Sequence, residues 1–182
     1  TFLPDKRVVE TLVMQFDTIA KRMRELAYLN RGVTFYLLDE RDGREKEYCF
    51  AGGLSDFVRY VNGDKTPLYA EPIHITGEKD GIQVDIAMQH NDGYSESTFS
   101  YVNNIPTTEG GTHETGFKAA LTKVLNDCCR RLDVLKDKDP GLTGEDVREG
   151  LTAIISLKMH NVQFEGQTKT RLGNTEARPA VE

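Results

Sequence analysis

Thr143-Gly144-Glu145-Asp146-Val147-Arg148-Glu149-Gly150-Leu151-Thr152-Ala153-Ile154-Ile155-Ser156-Leu157-Lys158-Met159, running on to Phe164-Glu165-Gly166-Gln167-Thr168-Lys169-Thr170-Arg171, changes its residue pattern twice. Thr143 with Asp146 three positions on is a capping box, so a helix starts here. Gly150 ends it. From Leu151 to Met159 the odd positions are apolar, while Thr152, Ser156 and Lys158 point the other way, which predicts a half-buried strand. The polar segment after Phe164 has a glycine hinge, amide and hydroxyl groups and two cations, and reads as an exposed loop. An ammonium and an amide on such a loop suit a phosphate, as a point charge plus neutral donors.

Upstream, Phe16, Ile19, Ala20, Met23, Leu26 and Ala27 make one stripe and predict a helix over 17–30, closed by Gly32. Strands follow over 33–39 and 46–50 across Arg41-Asp42-Gly43-Arg44, then a helix over 54–61 with Phe57, Val58 and Val61 inward. Strands over 73–78 and from Ile82 to Gln89 meet at Lys79-Asp80-Gly81. A third turn, Asn91-Asp92-Gly93, leads into a strand over 96–102. A long helix over 115–135 carries Phe117, Leu121, Val124, Leu125, Cys128 and Leu132 on one face. Asp-Gly turns favour antiparallel pairing. The expected class is therefore α+β, a mixed and largely antiparallel sheet with helices packed on one face.

Three blocks carry a family resemblance: Gly144 to Ala153 with Phe164 to Lys169, Tyr101-Val102-Asn103-Asn104-Ile105-Pro106, and Gly110-Gly111-Thr112-His113-Glu114-Thr115-Gly116-Phe117-Lys118. Together they resemble the transducer domain of bacterial-type type IIA DNA topoisomerase B subunits, those of gyrase first and topoisomerase IV next. The resemblance implies the ribosomal protein S5 domain 2-like fold, with its left-handed βαβ crossover. It implies coupling of ATP binding and hydrolysis to DNA strand passage and supercoiling. It further implies that the Gln-Thr-Lys loop reaches the γ-phosphate of an ATP held by the upstream domain. Gln167 and Lys169 would be the nucleotide contacts, with Lys169 supplying catalytic charge stabilisation. Lys118 would face duplex DNA, and, apart from the resemblance, the nearby Lys123 adds to a local density of cations that suits phosphate contact. The implied company is ATP with Mg2+ in the full enzyme, an upstream ATPase domain, a downstream cleavage domain, the A subunit and a second B subunit. The fragment by itself is expected to hydrolyse nothing.

Residues 1–5 read as the end of an upstream ATPase-domain strand and 6–172 as one transducer domain. The tail, 173–182, reads as a short helix or a linker toward a cleavage domain. The chain opens on Thr1 rather than Met and reads as a piece of something longer. Its 182 residues are 38% hydrophobic and 29% charged, without Trp, which suits a folded domain. The expectation is a cytoplasmic protein with no membrane partner.

A net charge of −6 and a pI near 5.3 argue against a free-standing nucleic-acid module, so DNA would be met only at a local patch such as Lys118, Lys123, Arg130 and Arg131. Gly111 and Gly116 have P-loop spacing, but Phe117 stands where the lysine must be. A glycine joint between strand and helix is the better reading than an autonomous nucleotide-binding loop. His113-Glu114 lacks a second His at helical spacing. Asp137, Asp139 and Gly141 are out of register for a calcium loop. Cys49, Cys128 and Cys129 read as free thiols. No metal site is expected.

Overall fold

The computed structural model describes residues 4–136 and 138–182. Thr1 to Leu3, most of the segment read as an upstream strand end, lie outside the described residues, as does Asp137. The chain falls into two compact units, Thr1–Gly53 and Leu54–Glu182, where one body over 6–172 was expected.

In the first unit, helix α1 (Phe16–Leu29) packs on a two-stranded antiparallel sheet, β1 (Phe35–Asp39) and β2 (Arg44–Tyr48). Phe16, Ala20, Ala27 and Tyr48 are its buried core, and Tyr28 stacks on Phe50 with ring centroids 3.8 Å apart. An α-helix and one hairpin cannot cover much apolar surface. Val8, Leu12, Val13, Met14, Tyr36 and Leu38 are exposed.

The second unit is built on a five-stranded sheet in the order β3-β4-β7-β5-β6. These are β3 (Ile73–Lys79), β4 (Ile82–His90), β5 (Ser97–Val102), β6 (Ile105–Pro106) and β7 (Leu151–Lys158). Asp80 and Gly81, with φ of 53° and 76°, make the tight β3–β4 turn that matches strand twist, and Asn103 and Asn104 do the same between β5 and β6. The third turn does not make a hairpin. Asn91 is buried, its N–H bonds the carbonyl of Gly150, and β4 and β5 are held apart so that β7 enters between them. β7 runs antiparallel to β4 and parallel to β5, so the class is the expected α+β with one parallel pair in an antiparallel sheet.

Helices α3 (Thr112–Arg131), α4 (Gly144–Arg148) and α5 (Ala177–Val181) cover one face of the sheet, where the expectation put every helix. Their core contains Ile82, Val84, Ile86, Phe117, Leu121, Val147, Leu151, Ile155 and Leu157. Helix α2 (Leu54–Asn62) lies on the opposite face, against β4 and β7. Strand β7 is therefore not half-buried: seven of its eight residues are buried, Thr152 and Ser156 among them. Thr152 is accommodated because a polar residue, Asn62, ends α2 and faces it. The Asn62 amide donates to Gln89 (2.9 Å), and its carbonyl oxygen accepts from Thr152 (2.6 Å) and Asn91 (3.2 Å).

One further expectation is corrected. Helix α3 begins three residues earlier and ends at Arg131, leaving Val124 and Leu132 54% and 69% exposed, because only Phe117, Leu121 and the half-buried Leu125 meet the sheet. The tail contains the short helix that was one of its two expected forms, α5, and it is packed. Ala177 is fully buried, and α5 approaches α3 at Gly116, where a Cβ would stand 2.7 Å from the carbonyl of Arg178.

Candidate functional site

The polar segment singled out in the sequence is the tip of a narrow hairpin. Its arms are joined by Gly173 N–H to Gln163 O (2.9 Å), the bridge between Phe164 and Leu172, and Glu165 N–H to Arg171 O (2.9 Å). Gly166 to Lys169 form the turn, closed by Lys169 N–H to Gly166 O at 3.3 Å. Lys169 then takes a left-handed conformation, φ 58°, at the position where a glycine is the usual choice in such three-residue hairpin loops. A lysine there costs about 1 kcal/mol of backbone strain. Strain of this kind points to a use for the side chain that bears it.

Gln167, Thr168 and Lys169 are exposed, and among the described residues neither the Gln167 amide nor the Lys169 ammonium has a hydrogen-bond or ion-pair partner. Thr168 and Thr170 share a 3.3 Å hydroxyl contact. The tip thus presents one unpaired cation and one unpaired amide to the outside. They are two residues apart on a turn, a spacing that suits one tetrahedral anion.

The two other motif blocks hold this hairpin at its two ends. Below the ascending arm, Asn103 clamps Met159: its carbonyl oxygen accepts from Met159 N–H (3.0 Å) and its amide donates to Met159 O (2.9 Å). Below the descending arm, Gly110 O accepts from Leu172 N–H (3.1 Å) and Thr112 N–H donates to Leu172 O (3.3 Å). Asn174, 2% exposed, ties both: its Oδ1 accepts from Gln163 N–H (2.6 Å) and its backbone carbonyl accepts from the Thr112 hydroxyl (2.5 Å). Asn103 falls within the second motif block, whereas Asn174 lies outside all three. A buried Asn in a polar tail has no periodic signal.

Gly110 and Gly111 make the glycine joint and not a phosphate cradle. Gly110 O and Thr112 N–H are both spent on Leu172. Lys118, read as a DNA contact, points instead at two carboxylates, Glu114 (2.9 Å) and Glu96 (3.0 Å), and Glu96 also takes Arg148 (2.9 Å). Burial works against the Lys118 charge, but these carboxylates outweigh it and its pKa is raised. Lys123 is exposed on α3. Among the described residues, no group of three His, Cys, Asp or Glu side chains is placed to hold a metal ion, and no helix is long and apolar enough to cross a membrane.

His113, in the first turn of α3, is fully buried, with Nε2 3.2 Å from the Thr107 hydroxyl and no partner for Nδ1. Burial pushes its pKa down to about 4, with Glu114 pulling weakly the other way. The unfolded chain then takes up its proton first as pH falls. Stability present above about pH 6.5 is lost between about 6.5 and 4, by up to ~3 kcal/mol from this group. Urea midpoints at pH 7 and pH 4.5 should differ more in the wild type than in His113→Gln. Equal differences would clear His113 of the effect.

The sequence model of one family, DNA gyrase B, matches residues 53–182, nearly the same span as the second unit. The chain is 54% identical, over its whole length, to the DNA gyrase B protein of Bacillus mycoides, of which it covers 45%. It is 52% identical over 97% of its length to the corresponding gyrase protein of Halalkalibacterium halodurans, covering 28% of it. The 43K ATPase domain of Thermus thermophilus gyrase B, solved with an aminocoumarin, superposes with a TM-score of 0.87 at 36% identity, over 98% of this chain and 48% of that one. The topoisomerase IV ATP-binding domain of Francisella tularensis gives 0.78 at 26%, over 98% and 49%. The chain therefore spans less than half the length of each of these relatives.

Proposed function

The chain belongs to the DNA gyrase B family, and on that premise we propose that residues 54–182 are a transducer, which couples ATP binding and hydrolysis in the rest of a B subunit to DNA strand passage and supercoiling. The observation that carries the reading is the unpaired Lys169 and Gln167 at the tip of a hairpin anchored at both ends in a buried core. They fit the terminal phosphate of an ATP held by another part of the protein. Lys169 supplies charge neutralisation that a terminal phosphate needs when it leaves, and Gln167 a neutral donor. Loss of that phosphate removes the partner of both, and the tip is then free to withdraw.

The domain boundary falls at Gly53 in this proposal, later than residue 6. The first unit belongs with whatever carries the nucleotide, since its uncovered Val8, Leu12, Val13, Met14, Tyr36 and Leu38 are what a piece of a larger domain exposes when taken alone. Mg2+, the A subunit, a downstream cleavage domain, a second B subunit and a cytoplasmic setting complete the proposal. Contact with duplex DNA would fall to Lys123 before Lys118, whose charge is already matched.

A nucleotide sensor that holds only one end of its ligand should not bind it unaided. Isothermal titration of the isolated 182-residue chain with a non-hydrolysable ATP analogue should give no heat of binding up to millimolar ligand, about −4 kcal/mol of affinity or weaker. Micromolar binding would replace the reading with an autonomous nucleotide site.

A further inference from the structure

We infer that movement of the hairpin tip reaches the rest of the second unit through a backbone seam between Gly111 and Leu172, into helix α3, and that Gly111 is a positioning residue for Lys169. The inference rests on the phosphate-contact reading above. The hairpin has two roots. The ascending one is strand β7, which is hydrogen-bonded along its length to β4 on one edge and β5 on the other, with seven of eight residues buried. Sliding β7 would break two ladders at once. It is the fixed root.

The descending root is of another kind. Residues 170–172 lie alongside 109–112 through three backbone bonds: Glu109 N–H to Thr170 O (2.9 Å), Leu172 N–H to Gly110 O (3.1 Å) and Thr112 N–H to Leu172 O (3.3 Å). At the centre, Gly111 has φ 144° and ψ −165°, a region open in practice only to glycine. A Cβ there would stand 2.5 Å from Leu172 O and 2.7 Å from Leu172 N. Backbone touches backbone with no side chain between them, so a shift of Leu172 cannot be absorbed by a rotamer and is passed to Gly111. Gly111 is the N-cap of α3, a helix of 20 residues. The Thr112 hydroxyl on Asn174 O and the close approach of Gly116 to Arg178 extend the same attachment along the helix. Tip, seam and α3 thus form one rigid path, and β7 is the frame against which it moves.

Hydrogen exchange in the complete B subunit tests this, with and without a non-hydrolysable ATP analogue. In the wild type the analogue should slow the amides of 166–170 and of 111–115 together, each by about tenfold. In Gly111→Ala the tip should still slow and the start of α3 should not, with kcat for ATP lowered and KM held. Should that variant fold poorly, Arg171→Ala loosens the seam more gently. It removes the bond from Arg171 to Glu109 O (3.3 Å) and the ion pair with Glu165 (3.1 Å), and the slowing at 111–115 should shrink. A tip that slows while 111–115 does not, in the wild type, overturns the seam and leaves the Lys169 reading standing. If neither region responds, the Lys169 reading falls and takes this inference with it.

Discussion

Lys169→Gly in the complete B subunit is expected to lower ATP turnover about 100- to 1,000-fold, the loss typical of removing one charged or donor group aimed at developing charge. Its stability should barely change. Glycine accepts the left-handed φ of 58° that lysine holds under strain, and the relief of about 1 kcal/mol offsets the flexibility gained by the unfolded chain. Lys169→Ala removes the same ammonium but keeps a Cβ in that conformation, so it should match the glycine variant in turnover and fall slightly below it in melting temperature. The pair separates charge from backbone. Wild-type hydrolysis in either variant would end the phosphate-contact proposal, whereas equal losses of turnover and stability in both would assign Lys169 to the fold.

Asn62→Leu should cost about 3 kcal/mol, because Gln89, Asn91 and Thr152 all lose a partner inside a region that water does not reach. For a chain of this size that is a drop of about 10 °C in melting temperature. Asn62→Leu combined with Thr152→Val, which takes away the shortest of those bonds, should lose less than the sum of the two single variants. Strict additivity would mean that the side chains are solvated independently and that α2 is not locked to β7 by this cluster. The prediction matters for the hairpin. β7 can serve as its fixed root only if both of its faces are held, and Asn62 supplies the polar part of the α2 packing on the face opposite α3.

The local elements were legible because short-range physics writes them directly. Thr143 and Asp146 make the capping box they spell, with the Thr143 hydroxyl accepting from Asp146 N–H at 3.2 Å. Asp80-Gly81 closes the hairpin that its two positive φ values allow. Gln167 and Lys169 are exposed at a turn, as a polar run without apolar residues requires. Less legible was whatever depended on a distant partner. Asn91-Asp92-Gly93 has a hairpin's residues but no hairpin, since Asn91 is engaged by Asn62 and Gly150. Thr152 and Ser156 read as a solvated face because nothing in β7 reveals that α2 will cover them. Of the two carboxylates that hold Lys118, Glu114 stands at helical i,i+4 spacing and was legible, whereas Glu96 lies 22 residues away and is brought to it only by the fold.

Sequence alone determined which segments are helix and which are strand, that the class is α+β, and which exposed loop carries an ammonium and an amide, because capping, periodicity and glycine conformations act within a few residues. Tertiary structure alone decided that β7 lies buried between an antiparallel and a parallel neighbour, that the chain divides near Gly53, and that Gly111 presses directly on Leu172. Those depend on contacts between segments far apart along the chain, and only packing brings them within hydrogen-bond reach.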